Sequence, residues 1–430
     1  MSSSPGAVEA PEYGVPRLVV RTRALALEQA ESLLALMQTD EPVCWLRAGV
    51  GLVGWGIAAR IRTSGPTRFA DADKWWTETV SRAVVRDEVG EPGTGPVAFG
   101  TFAFADEPGN SVLSVPQVIV GRRGEVAWVT TVSPLANGSG GIATPILGLA
   151  EPPLAPVGIR FADGSLNSEA WMSVVADAVA RITEGKLEKV VLARDLSATA
   201  SSAIDVRWPL QRLAEEYPMC WTFHVDGIFG STPEMLVRRE RGLVTSRVLA
   251  GTIRRTGNDN RDLALAATLA RSSKDLEEHE YAVRSVAEAL EPHCSSMMVP
   301  ESPFVLHLPN VMHLATDVAG VVHDAETVSS LQLAAALHPS AAVGGTPTDS
   351  ALELIAELEA MDRGRYAGPV GWIDGAGDGE WALALRSGEL NGATVRLFAG
   401  CGIVADSDPE AELAESQAKF VPVRDALGEA

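Results

Sequence analysis

Lysine is scarce in this 430-residue chain: only Lys74, Lys186, Lys189, Lys274 and Lys419 occur among 35 basic residues. Arginine supplies the generic positive charge, so a retained lysine points to a task that needs a removable proton or a compact ammonium. Cysteine is scarcer still. Cys44, Cys220, Cys294 and Cys401 form no CxxC pair, so neither a disulfide framework nor a zinc site is indicated. No apolar run reaches the 18 residues a membrane helix needs, and the opening MSSSPGAVEAPEYG reads as a polar, Pro/Gly-rich tail rather than a signal peptide. Positive charge is in deficit overall. A net charge of -21 argues against nucleic acid and against an anionic membrane surface as partner, and a cytoplasmic protein is expected. The same deficit sets a problem for an anionic substrate, which would need local basic groups or a bound cation.

What is present suffices for a large core, since 46% of the chain is apolar. Residues 1–15 read as a flexible tail and 16–430 as a single domain. Its 16–165 part is strand-rich, with alternating segments at 17–23, 43–47, 97–104, 117–122 and 125–131, and helices near 25–38 and 72–86. Gly49, Gly51 and Gly54 match GxGxxG, but the chain after them continues extended where a dinucleotide fold needs a helix, so this is a glycine-rich strand or turn. From 166 onward the texture changes. A helix capped at Asn167 or Ser168 runs to Thr183 and stops at Gly185; a strand covers 189–194 and a helix 208–216. Strands at 220–225, 228–230, 235–239 and 243–249 turn at Asp226-Gly227 and Arg241-Gly242. Helices follow at 273–290, 325–337 and 348–359, and strands at 366–374, 380–387 and 394–404 close the chain before a last helix. Antiparallel strands interspersed with long helices mean the α+β class.

The stretch from Ala384 to Lys419 concentrates chemistry. It carries Arg386, a hairpin signal at Asn391-Gly392, the paired glycines Gly400 and Gly402, and a helix opened by Asp408-Pro409. On that helix Glu412, Glu415 and Lys419 fall at i, i+3 and i+7, within about 60° of one another. A solvated face with a Glu–Lys pair is the plain alternative. Elsewhere, Lys189 opens an apolar strand, where a lysine either snorkels or, partly desolvated, acts as a general base. Glu234 follows Pro233; it is either an edge carboxylate or a half-buried acid that keeps its proton. Asp275 and Glu278 form a second i, i+3 acidic pair. Two such pairs facing each other would repel without a cation, and oxygen ligands would select Mg²⁺ over zinc if His279 points elsewhere. His313 and the Gly344–Pro347 loop could add a donor and anion-facing amides. Cys401 has no charged neighbour in the local sequence and reads as a small apolar residue.

Several strings, in a fixed order, together resemble the chorismate-utilising enzymes, and the isochorismate synthases among them. They are KVVLAR (189–194), GSTPEML (230–236), LAGTIRR (249–255), SSKDLEEHE (272–280), HLAT (313–316), LHPSAAVGGTP (337–347), IAELE (355–359), RYAGPVGW (365–372) and the 384–419 stretch. They cover about 189–421; the N-terminal half offers only a loose match in GLVGWG. The resemblance implies an α+β sandwich of large antiparallel sheets with helices outside. It implies that Lys189 activates water for attack on C2 of chorismate while Glu234 protonates the departing C4 hydroxyl. Glu278 and Glu415 would hold Mg²⁺, with Asp275 and Glu412 completing the acidic shell. Gly251, Thr252, His313, Tyr366, Arg386, Gly400, Gly402 and Lys419 would line the substrate site. A lysine at 189, Ala250 where aminodeoxychorismate synthases place a nucleophilic lysine, and the string from His338 to Val343 favour water as nucleophile and isochorismate as product. Salicylate synthase, which goes on to expel pyruvate, is the alternative, and a monomer is expected. Cys401 stands where the family usually has alanine.

Overall fold

The computed structural model describes residues 14–135, 147–307 and 311–428, without the side chains of Lys274 and Glu278. The tail expected at 1–15 lies outside these residues except for Gly14 and Val15. Among the described residues the strands form two sheets, one of 13 strands and one of 10. Pairing is antiparallel along both, with the ladder between Leu18–Leu25 and Val84–Asp87 a parallel exception. Antiparallel neighbours follow from the turns. Asp226-Gly227 (φ 48° and 88°) and Arg241-Gly242 (φ 50° and 82°) both take two left-handed residues, the twist that returns one strand beside the last. Both sheets mix strands from before and after residue 165: Trp221–Val225 pairs with Val43–Arg47, and Pro369–Asp374 with Val97–Thr101.

The sheets pack face to face. Trp45, Phe223 and Ile228 of the larger meet Phe99, Val112 and Trp372 of the smaller in one buried cluster. Helices cover the outside, each for a legible reason. Asn167 caps Ser168–Thr183 by accepting from Ala170 N (2.9 Å), and Trp171, Val175, Ala178 and Ile182 form its buried stripe. Ser272 caps Ser273–Leu290 in the same way, which sets Asp275 in the first turn. Asp408 and Pro409 open the last helix, Pro409–Leu427, whose Phe420, Val423 and Leu427 are buried.

Several expectations need correction. In place of a helix at 25–38 the chain makes a 3-10 turn, Leu27–Ala30, and a single α-turn, Leu33–Leu36, because Ala30, Leu33, Leu36 and Met37 all plug one core cluster. The helix expected at 72–86 is Arg68–Ser81, and the β-branched pair Val84-Val85 leaves it for an edge strand. The helix expected from 325 begins at Ser330, where the Ser329 side chain caps it. The helix Asp259–Leu269 and the strands Cys294–Met298, Phe304–His307 and Val311–Val322 were not legible in the sequence. The closing strands do not share one sheet. Gly379–Leu383 belongs to the 10-stranded sheet and Ser387–Asn391 to the 13-stranded one, so the segment expected as a strand over 380–387 breaks where the chain crosses between sheets.

Candidate active site

Two crossovers between the sheets, side by side, build the floor of a cleft. Ile228–Thr232 lies in the larger sheet and Met235–Glu240 in the smaller; Glu234 sits between them. The second crossover, from Gly379–Leu383 to Ser387–Asn391, carries Arg386. Leu383 N donates to Glu234 O (3.1 Å) and Ser231 N donates to Arg386 O (3.2 Å), which locks the two together. The approach is close enough that a Cβ at Gly230 would stand 2.6 Å from Arg386 O. Arg386 itself adopts φ 48°, a conformation uncommon for a side-chain-bearing residue and most often kept at functional sites.

Lys189 stands at the head of Lys189–Thr199, which pairs along Thr394–Ile403. Gly400 and Gly402 are there for room. A Cβ on Gly402 would lie 2.9 Å from Lys189 Cε, and one on Gly400 would lie 3.1 Å from the Tyr366 hydroxyl. Tyr366 stacks flat on Phe398 (centroids 5.0 Å apart, planes 10° apart), and burial raises its phenol pKa, so it stays protonated.

Across the cleft, Leu243–Arg254 bulges against Val311–Val322. Gly251 (φ 76°) is the extra residue, after which Thr252 faces His313. Thr252 Oγ1 and His313 Nδ1 are 2.9 Å apart. Burial, then the Arg386 and Lys419 charges, pull His313 down to about 4, so its imidazole is neutral, and the buried Nε2 has no hydrogen-bond partner. Asp275 packs on the bulge, where a Cβ at Gly251 would be 3.2 Å from its own Cβ. His279 turns to Thr316 Oγ1 (2.7 Å), so Asp275 offers the site an oxygen ligand without an imidazole beside it. The Glu278 side chain lies outside what the structure describes.

The last helix closes the remaining side. Glu412, Glu415 and Cys401 bring ligand atoms within 4.8 Å of one another. Lys419 Nζ bridges Glu415 Oε1 (2.6 Å) and Gly400 O (2.8 Å), while Ser407 Oγ donates to Glu412 Oε1 (2.8 Å). Burial and the neighbouring Glu415 raise Glu412. Burial also pushes Glu415 up, but Lys419 and Arg386 outweigh it and hold that carboxyl low. Burial pushes the Cys401 thiol up to about 12, so it is neutral and unsuited to nucleophilic work. This helix face is partly buried and turned inward, unlike a solvated Glu–Lys face.

The Glu234 carboxyl ties the cleft together. Burial pushes it up to about 7, against the opposing pull of Arg386, Lys189 and Lys419, in that order. Groups from three separate segments therefore act on one carboxyl. A small cavity adjoins it, walled by Met235, Val248, Val286, Ala342 and Leu383. Lys189, Arg386 and Lys419 do not line that cavity; Glu234 is the residue it shares with the charged cluster.

The family described as chorismate binding enzyme matches residues 24–143 and 149–428. The chain belongs to that family. The match extends well beyond the 189–421 region that carries the motif strings, through most of the N-terminal half. Among chorismate-binding relatives, isochorismate synthase MenF of Bacillus subtilis (strain 168) is 32% identical over 403 residues, 88% of this chain and 85% of the relative. Isochorismate synthase DhbC of the same organism is 41% identical over 271 residues, 60% of this chain and 68% of the relative. The solved structure of MenF, the menaquinone-specific isochorismate synthase from Escherichia coli, superposes with a TM-score of 0.77 at 25% identity, covering 96% of this chain and 95% of that one. The expected α+β sandwich of large antiparallel sheets is the fold observed.

Sequence reasoning placed Glu359 only inside the IAELE string and gave Arg363 no role. In the structure these two form a buried ion pair beneath the Lys189 strand. Their spacing of i, i+4 was the available signal, but it looks like any surface helix pair.

Proposed function

We propose that this chain is an isochorismate synthase, converting chorismate to isochorismate with Mg²⁺. The observation that carries the reading is the Glu234 carboxyl, placed at the crossover between the two sheets, held up to about 7 by burial and within reach of the Arg386, Lys189 and Lys419 charges, two of which also act on a neutral His313. Lys189 takes a proton from water as its oxygen bonds to C2 of the substrate ring. The ring double bonds shift, the C4–O bond breaks, and Glu234 delivers a proton to the departing hydroxyl, so one water enters and one leaves. Arg386 and Lys419 face the substrate carboxylates, which answers the charge deficit of the chain locally. Gly251, Thr252, Gly400 and Gly402 supply backbone that a substrate can approach closely, with His313 Nε2 as an uncommitted polar atom and Tyr366 as a buried wall.

The acidic residues fit a hard divalent cation. Glu412 and Glu415 lie together with a single ammonium between them and the rest of the site, and the sulfur nearby is a neutral thiol. Glu415 and Glu278 would hold Mg²⁺, with Asp275 and Glu412 completing the shell, and the chemistry the ion supplies is neutralisation of the ring carboxylate. Glu415→Gln should raise the Mg²⁺ concentration for half-maximal activity by at least about tenfold, since even outer-shell changes cost about 10–100-fold. An unchanged Mg²⁺ titration removes Glu415 as a ligand.

The reading as a whole is tested by incubating the protein with chorismate, with and without Mg²⁺, and separating the products. Isochorismate appearing only with Mg²⁺ is expected. Stoichiometric pyruvate with salicylate would make the protein a salicylate synthase instead, and no turnover at all would leave a binding protein on an enzyme's scaffold.

A further inference from the structure

Glu359 and Arg363 are buried to within 3% of complete side-chain enclosure, and the proposed chemistry does not use them. Burying such a pair is costly enough that apolar residues often serve as well or better, so its retention points to a task other than stability. Its hydrogen bonds define that task. On one side, Val190 to Thr199 pair without interruption along Thr394–Ile403. On the other side, Arg160–Asp163 covers Leu196 to Thr199, and Gly345-Thr346 covers only Lys189 and Val190. The backbone between these ladders would be a bare, buried edge. Val191 N donates to Gly344 O (2.8 Å). The ion pair takes over from there: Arg363 Nη2 donates to Val191 O (2.7 Å), and Ala193 N donates to Glu359 Oε1 (2.6 Å). Arg363 Nη1 also holds Val343 O (2.9 Å), the start of the loop whose Thr346 lies opposite Lys189. The guanidinium is locked by Glu359 through Nε–Oε2 (2.8 Å) and Nη2–Oε1 (2.6 Å), and it lies over the Phe104 ring at 4.2 Å.

We propose that Glu359 and Arg363 are positioning residues: two side chains standing in for a missing strand segment, which fix the height of Lys189 in the cleft and its distance from Gly402. The inference rests on the reading of Lys189 as the base. Lysine in place of Arg363 keeps the charge but cannot donate to Val191 O, Val343 O and Glu359 from one plane. Glutamine in place of Glu359 keeps an acceptor for Ala193 N and removes the countercharge.

The five lysines and the N-terminal amine are few enough to follow one by one, and the lysine that Arg363→Lys introduces is a further signal recognised by its absence from the wild-type spectrum. Reductive methylation with ¹³C-formaldehyde gives each a dimethylamine NMR signal, assigned by single Lys→Arg replacement. In Arg363→Lys and Glu359→Gln, the Lys189 signal should move while those of Lys74 and Lys186 stay. On unmethylated protein, kcat should fall about 10–100-fold, the cost of a misplacement near 1 Å, with KM for chorismate held within about threefold. Cooperative thermal unfolding shows that a variant is folded; if Arg363→Lys is not, Glu359→Gln decides. A folded variant with unchanged kcat, or with a Lys189 signal that stays put, overturns the proposal. Equal movement of all the lysine signals also overturns it, because that is a general structural role. If the wild-type protein does not turn over chorismate, the isochorismate reading fails by itself and the Lys189 signal alone decides the positioning role.

Discussion

Lys189→Ala is expected to abolish isochorismate formation while leaving Mg²⁺ and chorismate binding within a fewfold of wild type. Lys189 reaches the cleft from a strand end rather than from the core, so truncating it removes an amine and leaves the Thr394–Ile403 ladder in place. General-base catalysis is worth about 10²–10⁴-fold, and a loss of that size in kcat with an unchanged chorismate Kd would mark an interaction made only in the transition state. Turnover by product separation and binding by calorimetry measure the two halves. Retained turnover would remove Lys189 as base; a lost Kd would make it a binding residue.

Glu234→Gln is the second large effect, and it has a pH signature. The carboxyl must be protonated to give a proton to the C4 hydroxyl, and burial holds it up to about 7. In the wild-type protein kcat/KM should therefore fall as pH rises through about 7, and that limb should vanish in Glu234→Gln, whose residual rate is about 10²–10⁴-fold lower. Stability falls over a similar pH range. An acid whose pKa rises on folding from 4.5 to about 7 is ionised first in the unfolded chain. Its contribution is thus most favourable below 4.5 and is lost as pH rises towards 7, by at most about 3 kcal/mol. Glu234→Gln should raise Tm at pH 8 and change it little at pH 4, as thermal unfolding across that range would show. A variant that loses both activity and stability at pH 8 would mean that the carboxylate is a structural ion-pair partner rather than an acid.

The candidate site was more legible than the fold around it. Lys189 and Glu234 stood out because each broke a local rule, a lysine in an apolar strand and a carboxylate after a proline, and such violations collect where chemistry is done. The caps at Asn167 and Asp408 are read from three or four residues, and both helices begin where those signals put them. Pairing across sheets is not local. Nothing in Leu383 to Ser387 announces that the chain leaves one sheet and enters the other, because the cause is the neighbouring crossover at Glu234, about 150 residues earlier. The Val311–Val322 strand escaped for a related reason: its residues are buried on both faces for much of its length, so the alternation that marks a half-exposed strand is missing. Glu359 and Arg363 show the same limit. An i, i+4 ion pair is commonplace in sequence, and only its burial under the Lys189 strand makes it informative.

The central claim is that water, activated by Lys189, supplies the new hydroxyl at C2 while the C4 oxygen leaves with a proton from Glu234. Turnover of chorismate in H₂¹⁸O with Mg²⁺, followed by mass spectrometry of the product, tests it directly. One ¹⁸O should appear in isochorismate, at the C2 hydroxyl, with none in product formed from labelled substrate oxygen at C4 in ordinary water. Isochorismate that forms without solvent label, or that keeps the C4 oxygen, would contradict the account.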